Sequence, residues 1–231
     1  MMLNAFKQQI RRGFGAGHDT ILISSMGRTG STVVFDAVRH GVGRARLSVR
    51  PALGTRLVSS DAWDLSAHVL LPGMIYKTHD FSTSLPDRAA QGGIRAVFCF
   101  GRPSAAALSV LSCPQRYGAD WVRRHLEHLR ADGTLDDLRH RDPLRFGEQV
   151  EGWFSETRFP VLRVKYESLW DHPDALSDFI GCPVQLPIRR DRTPKAFDPV
   201  LTADIHRTFA ELDARIDALP DISSNVTMFG G

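Results

Sequence analysis

No stretch of the chain approaches the roughly 20 consecutive apolar residues that a membrane-spanning helix needs. The N-terminal residues also lack the apolar core of a secretory signal. Cysteine is scarce: Cys99, Cys113 and Cys182 are odd in number, far apart and form no C-x-x-C pair. That usage excludes a disulfide framework and suits a reducing compartment, so the expected location is cytoplasmic. No zinc-finger spacing or other signature of the common nucleic-acid modules occurs, and a nucleic-acid partner is not expected. Acidic residues are nearly missing from one region. Residues 1–60 hold only Asp19 and Asp36, against Lys7, Arg11, Arg12, Arg28, Arg39, Arg44, Arg46, Arg50 and Arg56. The net charge is only +3, so this basicity is local. A single-sign field around a concave site gathers anionic small molecules.

What is present suits one α/β domain over residues 1–231, with a core at about 19–183 and an irregular segment plus helix at 184–231. Thr20–Ser25 is a continuous apolar run of the buried, parallel-strand type. The pattern then predicts a helix over Ser31–His40, stopped by Gly41 and Gly43. Residues 44–72 read as a loop-rich crossover. "MIYKTH" is a short strand and a helix lies near Pro86–Gln91. "IRAVFCF" at Ile94–Phe100 is the strongest strand, followed by a Pro-started helix to about Leu111. Helices over Trp121–Arg130, Leu144–Thr157, Pro173–Ile180 and about Leu201–Leu219, with a strand at Val161–Tyr166, complete the pattern. The alternation implies a parallel sheet flanked by helices, with ligands bound at the carboxyl ends of the strands. Met2–Arg12 reads as a short amphipathic helix with a basic end, which permits loose contact with a membrane surface.

The chemistry concentrates after the first strand, in "SSMGRTGST". Gly27 and Gly30 allow close backbone approach. The following helix start offers unpaired N–H groups. Ser31 and Thr32 add hydroxyls, and Arg28 adds a planar cation that forks onto oxyanions. The nucleotide-triphosphate motif needs a lysine where Ser31 stands, and it is absent. A plain strand–turn–helix junction with Ser31 as N-cap is the bland alternative. The second strong strand ends in Arg102 rather than in a metal-holding acid, which again answers an anion. His125 and His128, three apart on a charged helix, read as a solvated face because no third metal ligand is evident.

In this order the chain resembles the sulfotransferases that use 3′-phosphoadenosine 5′-phosphosulfate (PAPS). "SSMGRTGST" resembles their 5′-phosphosulfate loop, in the arginine-bearing version of many bacterial and carbohydrate-modifying members. "FGRPSAAALS" resembles the segment that holds the 3′-phosphate, "IYKTHD" the Lys-x-His of cytosolic members, and "LRVKYESLWDHPDALSDFIGCP" the Tyr-Glu-x-Leu stretch of the fold. The resemblance covers about Ile21 to Pro183 and implies a P-loop-like sulfotransferase fold. Its departures are an Arg102–Ser109 interval one residue short, Val33 in place of a tryptophan, and a late "RRDRTPK" without the usual glycine. Adenine stacking must therefore come from elsewhere, and Arg189, Arg190, Arg192 and Lys195 are the candidates to close the 3′-phosphate site.

The resemblance implies that Gly27, Arg28, Thr29, Gly30, Ser31, Thr32, Arg102 and Ser109 bind PAPS or its product PAP, with Ser112 in reserve for Ser109. Arg28 and Lys77 would stabilise charge and His79 would take the acceptor proton, with Asp36 the fallback base and Glu148 and Glu151 remoter ones. The scheme requires no metal. The acceptor would be a hydroxyl or amine of a small molecule or glycan, a carbohydrate or glycolipid being favoured. Competing readings are a P-loop-type kinase or nucleotidase and a non-catalytic nucleotide-binding homologue.

Overall fold

The computed structural model describes residues 17–46, 55, 57–189 and 197–226. The Met2–Arg12 segment and Arg190, Arg192 and Lys195 lie outside the described residues. Strand β1 (Thr20–Ser25) leads into helix α1 (Ser31–Arg46); strands β2 (Ser59–Asp61) and β3 (Ile75–Lys77) follow, then α2 (Asp87–Ala90) and β4 (Ile94–Phe100). Helices α3 (Pro103–Leu111), α4 (Cys113–Tyr117), α5 (Ala119–His128) and α6 (Phe146–Ser155) precede β5 (Val161–Lys165). Helices α7 (Ala175–Ile180) and α8 (Pro199–Asp217) and strand β6 (Ile222–Ser224) complete the chain. The six strands form one sheet in the order β2-β3-β1-β4-β5-β6. All pairings are parallel except that of β6 on β5.

Period-two alternation builds two cores, one on each face. From β1 and β4, Leu22, Ala96, Phe98 and Phe100 face one way and pack with Ala106, Trp153 and Phe209 of α3, α6 and α8. Ile21, Ile23, Val97 and Cys99 face the other way and pack with Val34 and Val38 of α1 and Leu176 and Phe179 of α7. With both faces covered, the central strands are apolar throughout, which made β1 and β4 readable from sequence. β2 (SSD) and β6 (ISS) carry no such pattern and were not expected; their place is set by backbone pairing with β3 and β5.

Helix α1 does not stop at Gly41; it runs on to Arg46. The glycine is there for packing, not termination. A Cβ at Gly41 would lie 2.4 Å from the carbonyl oxygen of Pro183, so only glycine lets that chain segment cross the helix. Gly41→Ala is expected to lower stability by about 1–3 kcal/mol despite alanine's better helix propensity. Urea unfolding checks this, and an unchanged midpoint would show that the contact yields freely.

The chain enters the sheet at its middle. From β1 it passes to the edge strand β2, returns to β3 beside β1, then crosses to β4 on the other side. The carboxyl end of β1 is thus the topological switch point, where open α/β sheets leave a crevice. Among the described residues, no helix is long and apolar enough to cross a membrane.

Candidate active site

The loop after β1 is wound by left-handed residues. Gly27, Arg28 and Gly30 have φ of 94°, 57° and 85°. For Arg28, which has a Cβ, this conformation costs about 1–2 kcal/mol. The turn is fastened from below: the Thr29 hydroxyl donates to the Cys99 carbonyl of β4 at 2.8 Å, and Ser25 Oγ accepts from the Gly27 amide at 3.3 Å. Gly27 lies against Leu129 and His125, and Gly30 lies under the ring of Tyr166. The Arg28 guanidinium donates through Nε to Ser109 Oγ at 3.1 Å and sits 5.8 Å from the Trp121 ring centre. Ser109 therefore meets the loop, and the Ser112 hydroxyl donates to the Ser109 carbonyl.

Strand β3 delivers the next two groups beside this loop. Lys77 Nζ donates to Thr32 Oγ1 of α1 at 2.7 Å, and burial pulls its pKa below that of an ordinary lysine. His79 is only 7% exposed. Its Nδ1 lies 3.1 Å from the Ser25 carbonyl and 3.0 Å from Ser25 Oγ. A carbonyl oxygen can only accept, so Nδ1 carries the hydrogen and the lone pair is on Nε2. Burial first, then the Lys77 charge, lowers the His79 pKa to about 3. The imidazole is neutral at pH 7 and holds one tautomer.

A second tier fixes this histidine. Gln149 of α6 donates to the His79 carbonyl, and Trp153 Nε1 donates to the Asp80 carbonyl. The Asp80 carboxylate, fully buried, accepts from the amides of Leu65 and Phe81, from Ser84 Oγ and from Arg130. These partners come from four separate stretches, and sequence reading found none of them.

Together the loop, α1, β3 and α5 enclose a cleft of about 510 Å³. Arg28, Gly30, Ser31, Thr32, Lys77 and His79, all singled out from the sequence, line it together. Gly27 and Thr29 shape the loop without lining the cleft. Helix α5 supplies Trp121, Arg124, His125 and His128, and Trp63 and Tyr166 also line the cleft. The expectation of a solvated face for His125 and His128 is thereby corrected. His125 is 6% exposed, stacks on Trp121 at 4.6 Å and meets the His79 ring edge-on at 5.7 Å. His128 stacks on Trp63 at 4.1 Å. Helix α5 turns this side inward because His125 and Leu129 cover Gly27. A hydrophobic stripe with histidines at its centre was the available signal. Among the described residues, no group of three or more His, Cys, Asp or Glu is placed to hold a metal ion.

Arg102 has a different setting. Its strand tip is next to that of β1, with Cys99 in register with Ser25. Its guanidinium, however, forms two contacts of 2.8 Å with Asp217 of α8 and is not among the residues lining the cleft. Asp36 is ion-paired with Arg39 at 2.9 Å and does not line the cleft either. Glu148 and Glu151 face outward and pair with Arg145 and Arg215. Arg189 lies over the Trp170 ring at 5.7 Å.

The buried histidines link the site to pH. In an unfolded chain imidazole titrates near 6.5, whereas folded His79 does so at about 3 and burial shifts His125 in the same direction. Between those values the unfolded chain binds protons that the folded one refuses. Stability is therefore full above about pH 6.5 and falls as the pH drops toward 3. Urea unfolding at pH 8, 6, 5 and 4 is expected to show this loss, and to show less of it in His79→Gln. An identical decline in the variant would assign the effect to carboxylates alone.

Compared with known proteins, the chain matches no family model and no curated sequence.

Proposed function

We propose that the protein is a sulfotransferase that moves a sulfuryl group from PAPS to a hydroxyl or amine of an acceptor, a carbohydrate or glycolipid being the favoured class. One observation carries this reading. At the switch point of the sheet, a left-handed phosphate-type loop, Lys77 and a neutral histidine with its lone pair on Nε2 converge on one cleft. Among the described residues lining that cleft there is no carboxylate.

The roles follow from charge and protonation. The loop amides, the start of α1 and Arg28 face the 5′-phosphosulfate, where negative charge accumulates on the leaving phosphate. Lys77, held by Thr32, stabilises the sulfuryl oxygens from the neighbouring strand. The acceptor oxygen or nitrogen attacks sulfur, the bond from sulfur to the phosphate oxygen breaks, and the phosphate keeps that electron pair. The acceptor's proton passes to Nε2 of His79. The anionic donor offsets the Lys77 field that helps hold the His79 pKa down, so the base strengthens when the site is loaded. The aromatic walls of Trp63, Trp121 and Tyr166 supply flat surfaces for adenine or for a sugar face, in place of the tryptophan that Val33 replaces.

Calorimetric titration tests the assignment. PAP is expected to bind without magnesium, and Arg28→Ala to weaken it about tenfold or more. Preference for ATP with magnesium over PAP would favour the kinase or nucleotidase reading. PAP binding without any turnover of labelled PAPS over pooled acceptors would leave a nucleotide-binding module.

A further inference from the structure

We infer that Arg124, and not Arg102, grips the second anionic group of the ligand, the 3′-phosphate if the donor is PAPS. The inference rests on the donor reading above but contradicts the motif on which Arg102 was assigned.

Charge balance at the two arginines is opposite. Arg102 is held by both oxygens of Asp217, at 2.8 Å each. Its neighbourhood adds Asp213 and Glu167, both of which act on its charge. Asp213 also occupies the start of α3, where Oδ1 accepts the Ser104 amide at 3.0 Å. Glu167 closes over Gly101, where a Cβ would lie 3.0 Å from either carboxylate oxygen. The guanidinium and the helix start that would receive a phosphate are thus already served by carboxylates of this chain. A phosphate arriving there would have to displace Asp217 and remain beside two further negative charges.

Among the described residues, Arg124 has no such competitor. It is exposed and lines the same cleft as Arg28 and Lys77. Its Nε donates to the Asp120 carbonyl at 3.3 Å. No ion pair of Arg124 occurs among the described residues, whereas its neighbour Arg123 is paired with Glu127 at 2.9 Å. The Arg124 guanidinium therefore keeps its Nη groups for a ligand. It stands one helical turn from Trp121, whose ring also faces the cleft and lies near Arg28. A nucleotide with its base against the Trp121 side and its 5′ anion on the Arg28 loop would present a second phosphate to the α5 side of the cleft. Arg124 was overlooked because it sits outside every motif and on a helix whose charged pattern reads as solvated.

The test compares ligands that differ by one phosphate. PAP and 5′-AMP are titrated by calorimetry into the wild-type chain and into Arg124→Gln, Arg102→Gln and Asp217→Asn. The expected result is that Arg124→Gln loses about tenfold in PAP affinity, bringing PAP close to AMP, and leaves AMP within about twofold. Arg102→Gln and Asp217→Asn are expected to leave the PAP-to-AMP ratio unchanged. An intact ratio in Arg124→Gln overturns the inference. So does a ratio that collapses in Arg102→Gln, or one that rises in Asp217→Asn, because each would show Arg102 to be the phosphate ligand. Failure of the donor reading has a different signature: the wild-type chain then fails to prefer PAP over AMP at all, which also removes the role given to Arg124.

Discussion

Gly30→Ala is expected to cost about 2–5 kcal/mol of stability and to abolish PAP binding at millimolar concentrations. Two independent costs add at this position. The backbone stands at φ 85°, which a side chain opposes by about 1–2 kcal/mol. A Cβ would also lie 2.2 Å from Cδ2 and 2.6 Å from Cε2 of Tyr166, so the ring or the loop must move. The ring belongs to the turn after β5 and the loop to the start of α1, and both line the cleft, so either displacement reshapes the proposed anion site. Urea unfolding gives the first quantity and calorimetry the second. The double variant Gly30→Ala, Tyr166→Leu is expected to regain part of the stability, because it relieves the clash but not the φ cost. Wild-type PAP affinity in Gly30→Ala would mean that the loop does not hold the ligand.

His79→Gln is expected to lower turnover by about 10²–10⁴-fold, the usual contribution of a positioned general base. PAP affinity should stay within about threefold, since the charged grips of the loop remain. The expectation depends on the Nδ1 contact with the Ser25 carbonyl, which leaves the basic lone pair on Nε2. Gln149 and Trp153 hold the carbonyls of His79 and Asp80, so the variant loses the base without loosening this backbone. Labelled PAPS and a competent acceptor provide the rate. Unaltered turnover would remove His79 from the chemistry, and Asp36 would be a poor replacement because it is paired with Arg39 and does not line the cleft.

Legibility followed local pattern. β1, β4 and α3 were read from sequence with the bounds they have in the structure, because buried parallel strands are apolar without interruption and a proline marks the helix start. The positions of the loop, Lys77 and His79 were likewise legible, since each stands at a strand end where direction alone puts it at the carboxyl edge of the sheet. Gly41 misled because a glycine in a helix looks the same whether it ends the helix or admits a neighbour, and Pro183 is far away in the chain. His125 misled for a related reason: a charged helix can still turn one side inward, and Gly27 gives α5 the room to do so.

The sequence by itself determined the α/β layering, the place of the glycine-bracketed loop at the end of β1, and the arrival of Lys77 and His79 beside it. Those depend on period-two and helical patterns and on strand direction, which are properties of neighbouring residues. Only the tertiary structure decided which cations remain available to a ligand. Carboxylates remote in the chain neutralise Arg102 from α8, while Arg124 is left facing the cleft from α5. Ion pairing depends on distance in space, and the separation of Arg102 from Asp217 along the chain carries no trace of it.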